Sequence, residues 1–265
     1  MINGTPLLNK VALVTGSSKG IGAGIALEFA RSGADVCINY MSSKSDAEKL
    51  KAQIESYGRR AVAVQANMGA RDQIARMVEI CESELGPIDI LVTNAVTSVR
   101  ESILNTKFED FKHTLDIGIF GVFHSIQLVS QRWVNRERGG AIIHISSPHA
   151  RTPFKDAIDY NVAKAGSHQL VLSAANELMW KNIRVNIIEP GWTDTPGERT
   201  WYSDEHMAEM GSLMPLGRLG RPEDLGKAAV FLASDAAEYV VGTVLKVDGG
   251  QFIEGGPSWT SKGRH

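Results

Sequence analysis

The run Val11-Ala12-Leu13-Val14-Thr15-Gly16-Ser17-Ser18-Lys19-Gly20-Ile21-Gly22 decides how this chain is read. Its first five residues are apolar or β-branched and fit a short buried strand, and helical periodicity begins at Gly22. Between the two, glycines let the backbone turn tightly, and the helix start presents free amides to an anion. A glycine-rich turn alone is a weak signal. Set between a strand and a helix near the start of a longer alternation, it has the context that a dinucleotide pyrophosphate requires.

The alternation continues outward from that turn. Further strands are expected at 36–40, 61–66, 88–93, 141–146, 183–189 and 244–247, with helices over 22–32, 45–57, 71–85, 108–135, 157–180 and 222–234. This predicts an α/β, Rossmann-type doubly wound parallel sheet of about seven strands with helices on both faces. No repeat or Gly/Ser-rich linker divides the chain, so residues 1–265 read as a single dinucleotide-binding catalytic domain. One excursion interrupts the pattern: residues 191–215, rich in Thr, Glu, Met and Trp, follow the sixth strand. A connection this long beside a strand's carboxyl end reads as a substrate lid.

Composition narrows the partners. The chain has 265 residues, 43% of them apolar, and a formal net charge of -2 with no concentrated basic run. Neither nucleic acid nor an anionic membrane is expected to bind; a small molecule is. No apolar run reaches membrane-spanning length and no signal-peptide pattern opens the chain, so cytoplasmic residence is expected. Cys37 and Cys81 fit a buried strand and a helix and read as reduced structural thiols. The histidines lack ligand spacing, so no metal is expected.

At the end of the second strand a carboxylate would accept ribose hydroxyls and repel a 2'-phosphate, but Asn39-Tyr40-Met41-Ser42-Ser43-Lys44 contains no acid. Lys19 in the glycine turn can meet that phosphate, with Ser42 and Ser43 as neutral donors, so NADP is expected ahead of NAD. Further on, Tyr160 and Lys164 stand four residues apart on one helix face. A tyrosine titrates near ~10 and works as an acid-base group at neutral pH only beside a cation. Chance supplies such a pair in roughly one such chain in four. Ser146 and Ser147, at the carboxyl end of the fifth strand, add a hydroxyl able to hold a substrate oxygen.

Taken together these residues resemble the short-chain dehydrogenase/reductase family over nearly the whole chain. Asn94-Ala95, Pro190-Gly191 with Thr195, Gly217-Arg218-Leu219-Gly220-Arg221-Pro222-Glu223-Asp224 and Val247-Asp248-Gly249-Gly250 carry the likeness further. The resemblance implies Tyr160 as general acid or base, Lys164 lowering its pKa and holding the nicotinamide ribose, and Ser147, thirteen residues before the tyrosine, on the substrate oxygen. It implies a cofactor lying along Gly16, Ser18, Lys19, Gly20, Ile21 and Gly22. Beyond these come Tyr40, Ser42, Ser43, Asn67, Met68, Asn94, Ala95, Tyr160, Lys164, Pro190, Gly191, Thr193 and Thr195. It implies a homotetramer as well; the apolar residues Ile117, Phe120, Phe123, Leu170 and Leu172 on the helices over 108–135 and 157–180 fit either such a subunit contact or a fully internal core.

Two departures stand out. Gly118 occupies the place of the family's usual asparagine, which helps link the lysine to solvent, and Val96 replaces a closing glycine. Within the family, Ser146-Ser147-Pro148-His149 and the tail Pro257-Ser258-Trp259 with Gly263-Arg264 are similar to bacterial glucose 1-dehydrogenases. That likeness implies oxidation of an aldose at its anomeric carbon. Ser147, His149, Tyr160, Trp192 and Glu198 would then contact substrate, with Asp159 and Glu189 as further groups suited to sugar hydroxyls. A 3-oxoacyl or other ketone reductase is the alternative, favoured by an apolar channel under the lid. An NADP-binding protein with little turnover is a third reading, suggested by Gly118 and Val96.

Overall fold

The computed structural model describes residues 4–253. Seven strands form one parallel sheet: β1 (Val11–Val14), β2 (Asp35–Tyr40), β3 (Ala61–Gln65), β4 (Ile90–Thr93), β5 (Gly140–Ile145), β6 (Ile183–Pro190) and β7 (Val244–Val247). Their order is β3-β2-β1-β4-β5-β6-β7. β1, β2 and β4 are buried along their whole length. That explains their mostly apolar character, because a parallel sheet covered on both faces leaves no strand face for water.

Among the described residues eight α-helices join the strands: α1 (Gly20–Arg31), α2 (Lys44–Ser56), α3 (Arg71–Leu85), α4 (Phe108–Leu115), α5 (Gly121–Asn135), α6 (Ile158–Leu178), α7 (Asp204–Leu213) and α8 (Pro222–Ala233). One core, including Leu91, Ile126, Trp133, Ile142 and Val171, lies under α3, α5 and α6. The other, including Ile25, Phe29, Val92, Ile143 and Leu225, lies under α1, α2 and α8. The chain builds outward from β1 to β3, then returns to β4 on the other side of β1. This reversal opens a crevice at the carboxyl ends of β1 and β4, where ligands of such sheets bind.

Two elements differ from the sequence expectation. The single helix expected over 108–135 is divided into α4, one wide π turn at Asp116–Phe120, and α5. The apolar period runs through this turn, so nothing in the local pattern marks it. Residues 191–215 contain α7, capped by Ser203, whose hydroxyl accepts the His206 amide at 3.3 Å. Met207, Met214 and Leu219 form a small cluster of their own there, with Trp192 and Tyr202 against it. Cys37 and Cys81 are free and buried, as structural thiols should be. Ile117, Leu170 and Leu172 belong to the core or pack on it, whereas Phe120 and Phe123 are exposed.

Candidate active site

The glycine turn adopts the conformation its sequence requires. Gly16 and Gly20 have φ of 59° and 57°, and a Cβ on Gly16 would lie 2.8 Å from the Ala95 Cα. Asn94 braces the turn, its Nδ2 donating at 3.0 Å to the carbonyls of both Thr15 and Gly16. Gly16 N donates to Asn39 Oδ1 (2.9 Å). α1 starts at Gly20 with no side-chain cap. Its first amides therefore face the crevice beside Ser18, Lys19, Ile21 and Gly22, which fits a pyrophosphate. Thr195 stands across the turn, 3.5 Å from where a Gly20 Cβ would be. A short link from Pro190 brings it there: Gly191, then Trp192, then Thr193, whose hydroxyl donates to the Gly191 carbonyl (3.0 Å). Farther along, Tyr40 and Met68 are buried, Asn67 accepts the Gly69 amide (2.9 Å), and Ser42 and Ser43 precede α2. Lys19 is not a bare cation, because its Nζ lies 3.1 Å from Asp46.

β5 ends at Ile145, so the two serines fall at the carboxyl edge, but they diverge. Ser146 Oγ pairs with His168 Nδ1 at 2.9 Å. Ser147 begins a short 3-10 turn at Pro148–Ala150, accepts the His149 amide (3.3 Å), and interacts with the Tyr160 phenol through its side chain. Tyr160 and Lys164 come from α6 one turn apart, with the Lys164 Nζ 5.5 Å from the Tyr160 ring centroid. Nζ also donates to the Ile145 carbonyl (2.7 Å), which fixes the ammonium behind the phenol.

Burial dominates the acidity of both groups. It pushes the Tyr160 phenol up to about 12, against a smaller downward effect of the Ser147 hydrogen bond. It pulls Lys164 down to about 8. A nicotinamide cofactor, when bound, supplies or accepts the hydride. Tyr160 can then deliver a proton to a carbonyl oxygen or take one from an alcohol, and a cation held one turn along the same helix, as Lys164 is, can stabilise the phenolate left behind. Ser147 offers the hydroxyl that holds the same oxygen.

The two departures in sequence meet in space. A Cβ at Gly118 would lie 3.0 Å from the Ala163 Cβ and 3.7 Å from Val96 Cγ2. The wide turn therefore leaves little room for a side chain at 118, and Val96 lines what room there is. Close by, His144 is buried with Nδ1 2.9 Å from Thr93 Oγ1, while its Nε2 has no hydrogen-bond partner among the described residues. Burial, followed by the Lys164 charge, holds this imidazole well below its ordinary pKa.

Among the residues expected to read sugar hydroxyls, the carboxylates are engaged. Asp159 is 1% exposed and accepts Ser98 Oγ (3.1 Å), Val99 N (3.1 Å) and Thr114 Oγ1 (2.9 Å). Glu189, equally buried, is held by Arg151 Nε (3.2 Å) and Nη2. Glu198 accepts Arg100 Nη2 (2.9 Å) at one oxygen and Trp192 Nε1 (3.1 Å) at the other. Glu198 and Trp192, both expected to contact substrate, thus bond each other, which leaves the Trp192 ring face as the part suited to stacking. His149 does stand beside the phenol, edge-on to the Tyr160 ring at 4.8 Å and stacked on Phe154 at 4.1 Å. Its Nδ1 lies 2.7 Å from Asn161 Oδ1. Arg100 escaped sequence reading altogether, for no spacing or periodicity marks a lone arginine in a loop. A cavity of about 400 Å³ lies at the opposite edge of the sheet, by Val11 and Asp35, and takes no part in this arrangement.

Residues 16–251 match the family described as enoyl-(acyl carrier protein) reductase. The fold also superposes on a short-chain type dehydrogenase/reductase from Mycobacterium marinum with a TM-score of 0.85 and 32% identity, covering 92% of this chain and 96% of that one. The chain belongs to the short-chain dehydrogenase/reductase family. This dehydrogenase/reductase is 36% identical to 3beta-hydroxysteroid dehydrogenase 1 of Eggerthella lenta, over 93% of its own length and 95% of the relative's. It is 35% identical to a 3-oxoacyl-[acyl-carrier-protein] reductase of Staphylococcus epidermidis (93% and 100%) and 37% identical to an L-rhamnose 1-dehydrogenase (NAD(P)(+)) of a Sphingomonas species (93% and 98%). Two solved structures carry cofactors, each covering 94% of this chain and 98% of its own. A 7 alpha-hydroxysteroid dehydrogenase holds NADH and 7-oxo glycochenodeoxycholic acid (TM-score 0.87, 33% identity). A 2-deoxy-D-gluconate 3-dehydrogenase from Agrobacterium tumefaciens holds NADP (TM-score 0.83, 29% identity). The protein is therefore an NAD(P)-dependent oxidoreductase. None of these relatives is named glucose 1-dehydrogenase, and the tail from Pro257 to Arg264 that suggested one lies outside the described residues.

Proposed function

We propose that this enzyme interconverts a ketone and its secondary alcohol, with Tyr160 as proton donor or acceptor, Lys164 as its cation and Ser147 on the substrate oxygen. The observation that carries this reading is the engagement of Asp159, Glu189 and Glu198, the three carboxylates expected to read an aldose, each of which already accepts hydrogen bonds from protein donors. Rings stand close to these groups: His149, stacked on Phe154, lies edge-on to the Tyr160 ring, and Trp192, the donor to Glu198, packs on Tyr202. The relatives named for steroid and 3-oxoacyl substrates support the same choice. NADP is the proposed cofactor, because no acid ends β2, and residues 191–215 are the proposed lid. A cytoplasmic homotetramer belongs to the same proposal, with exposed Phe120, Phe123 and Val162 as its apolar surface.

Turnover of NADPH with matched ketones and of NADP with aldoses tests the substrate class. Ketones should be reduced faster than any aldose is oxidised, and the reverse order rejects the proposal. Tyr160→Phe should lower kcat by about 10²–10⁴-fold while cofactor affinity stays within about twofold. Near-normal turnover in that variant would remove Tyr160 from its role.

A further inference from the structure

The carboxylates of the cleft are engaged, but one donor there has capacity to spare. Arg100 lies in the loop after β4 in a left-handed backbone conformation (φ 50°), and its side chain is 35% exposed. A guanidinium carries about five N–H hydrogens. One from Nη2 goes to Glu198 (2.9 Å), and one from Nη1 reaches the Tyr202 hydroxyl only at 3.5 Å. The others have no hydrogen-bond partner among the described residues. The guanidinium also sits over the Trp201 ring, 5.5 Å from its centroid, which holds it without using its in-plane donors.

Its position beside the chemistry is secured from two sides. Asp159, the residue before Tyr160, grips Ser98 and Val99, which directly precede Arg100. Glu198 is itself tethered by Trp192 Nε1 and by its own amide, which donates to Thr195 Oγ1 (3.2 Å). The charges of Arg100 and Glu198 both act on the Tyr160 phenol, and that of Arg100 on the His149 ring too. The free polar capacity near the reacting oxygen is thus donor capacity. A hydroxyl satisfies it weakly, whereas a charged or strongly polar acceptor makes the better pair. Glu198 shows that a carboxylate fits the guanidinium.

Resting on the ketone reading above, we propose that Arg100 is the specificity-determining residue of this cleft. It selects carbonyl substrates that carry a second acceptor group, a carboxylate or another carbonyl, which docks on the guanidinium. Glu198 holds the guanidinium in place and competes with that group.

The experiment compares kcat/KM for matched ketones that differ only in whether the second group is a carboxylate, a neutral carbonyl or a methylene. Wild type, Arg100→Met, Arg100→Lys and Glu198→Gln are measured, with thermal melts to confirm folding. Wild type should prefer an acceptor-bearing member, and Arg100→Met should collapse that preference by about 10- to 100-fold. Glu198→Gln should lower KM for the carboxylate member and leave the neutral members' ratio nearer to wild type, which separates the two kinds of acceptor. Arg100→Lys should retain part of the preference. Ketone turnover with the same preference in wild type and Arg100→Met overturns this inference and leaves the ketone reading standing. If Arg100→Met fails to fold, unchanged preferences in both Arg100→Lys and Glu198→Gln overturn it instead. No turnover of any ketone sinks both.

Discussion

Replacing Lys164 with methionine should abolish activity and yet stabilise the fold, in a manner that depends on pH. Lys164 is 4% exposed, and burial lowers its ammonium from 10.5 to about 8. Keeping it protonated at neutral pH therefore costs the folded state about 3 kcal/mol relative to the unfolded chain. Methionine preserves length and approximate volume while removing that cost. It also removes the hydrogen bond to the Ile145 carbonyl (2.7 Å), a loss of about 1–2 kcal/mol once the stranded acceptor is included. A net gain of about 1–2 kcal/mol at pH 7 remains, or a Tm higher by about 3–6 °C for a chain of this size.

The sign of the pH dependence follows from the same shift. Folded Lys164 releases its proton near 8 and the unfolded chain near 10.5, so between these values the unfolded state binds more protons. Wild-type stability therefore rises relative to the variant as pH climbs through that window. The variant's advantage is full below pH 8, shrinks above it, and reverses once the lysine is neutral in both states. Calorimetry of both proteins at matched pH values between about 7.5 and 10 reads this difference, above the range of His144 and His149, whose imidazoles are depressed by burial and also by the Lys164 charge. A variant less stable than wild type at pH 7, or a Tm difference that stays flat with pH, would refute the reasoning.

Two further outcomes accompany those given for Tyr160 and Arg100. Lys19→Ala should weaken NADP about fivefold and leave NAD unchanged, a modest effect because the ammonium is half exposed and shared with Asp46; a cofactor titration showing equal losses for both would remove Lys19 from phosphate recognition. Gly118→Asn should destabilise by about 1–3 kcal/mol, since its Cβ would meet Ala163 at 3.0 Å. Denaturant melts check this, and a neutral or stabilising result would mean that the wide turn is not packed as tightly as it stands.

The sequence by itself determined the features that depend on local periodicity and short spacing. Strand and helix alternation, the glycine turn with its positive φ positions, and the Tyr160/Lys164 pair with Ser147 could all be read because their residues lie on one strand, one turn or one helix, or at a fixed offset along the chain. The break at Asp116–Phe120 could not be read, because the apolar period passes through it unchanged, and the residues packed against Gly118 there, Ala163 and Val96, come from other elements.

Tertiary structure alone decided the polar balance of the substrate side. Asp159, Glu189 and Glu198 looked equally available as carboxylates in the sequence, and each was removed by a distant partner: Ser98, 61 positions away, Arg151, 38 away, and Arg100, 98 away. Whether a carboxylate is free depends on which donors the fold brings to it, and such pairings leave no periodic trace. The chemistry of the proton was thus written locally, whereas the choice of substrate rests on which long-range hydrogen bonds are already made.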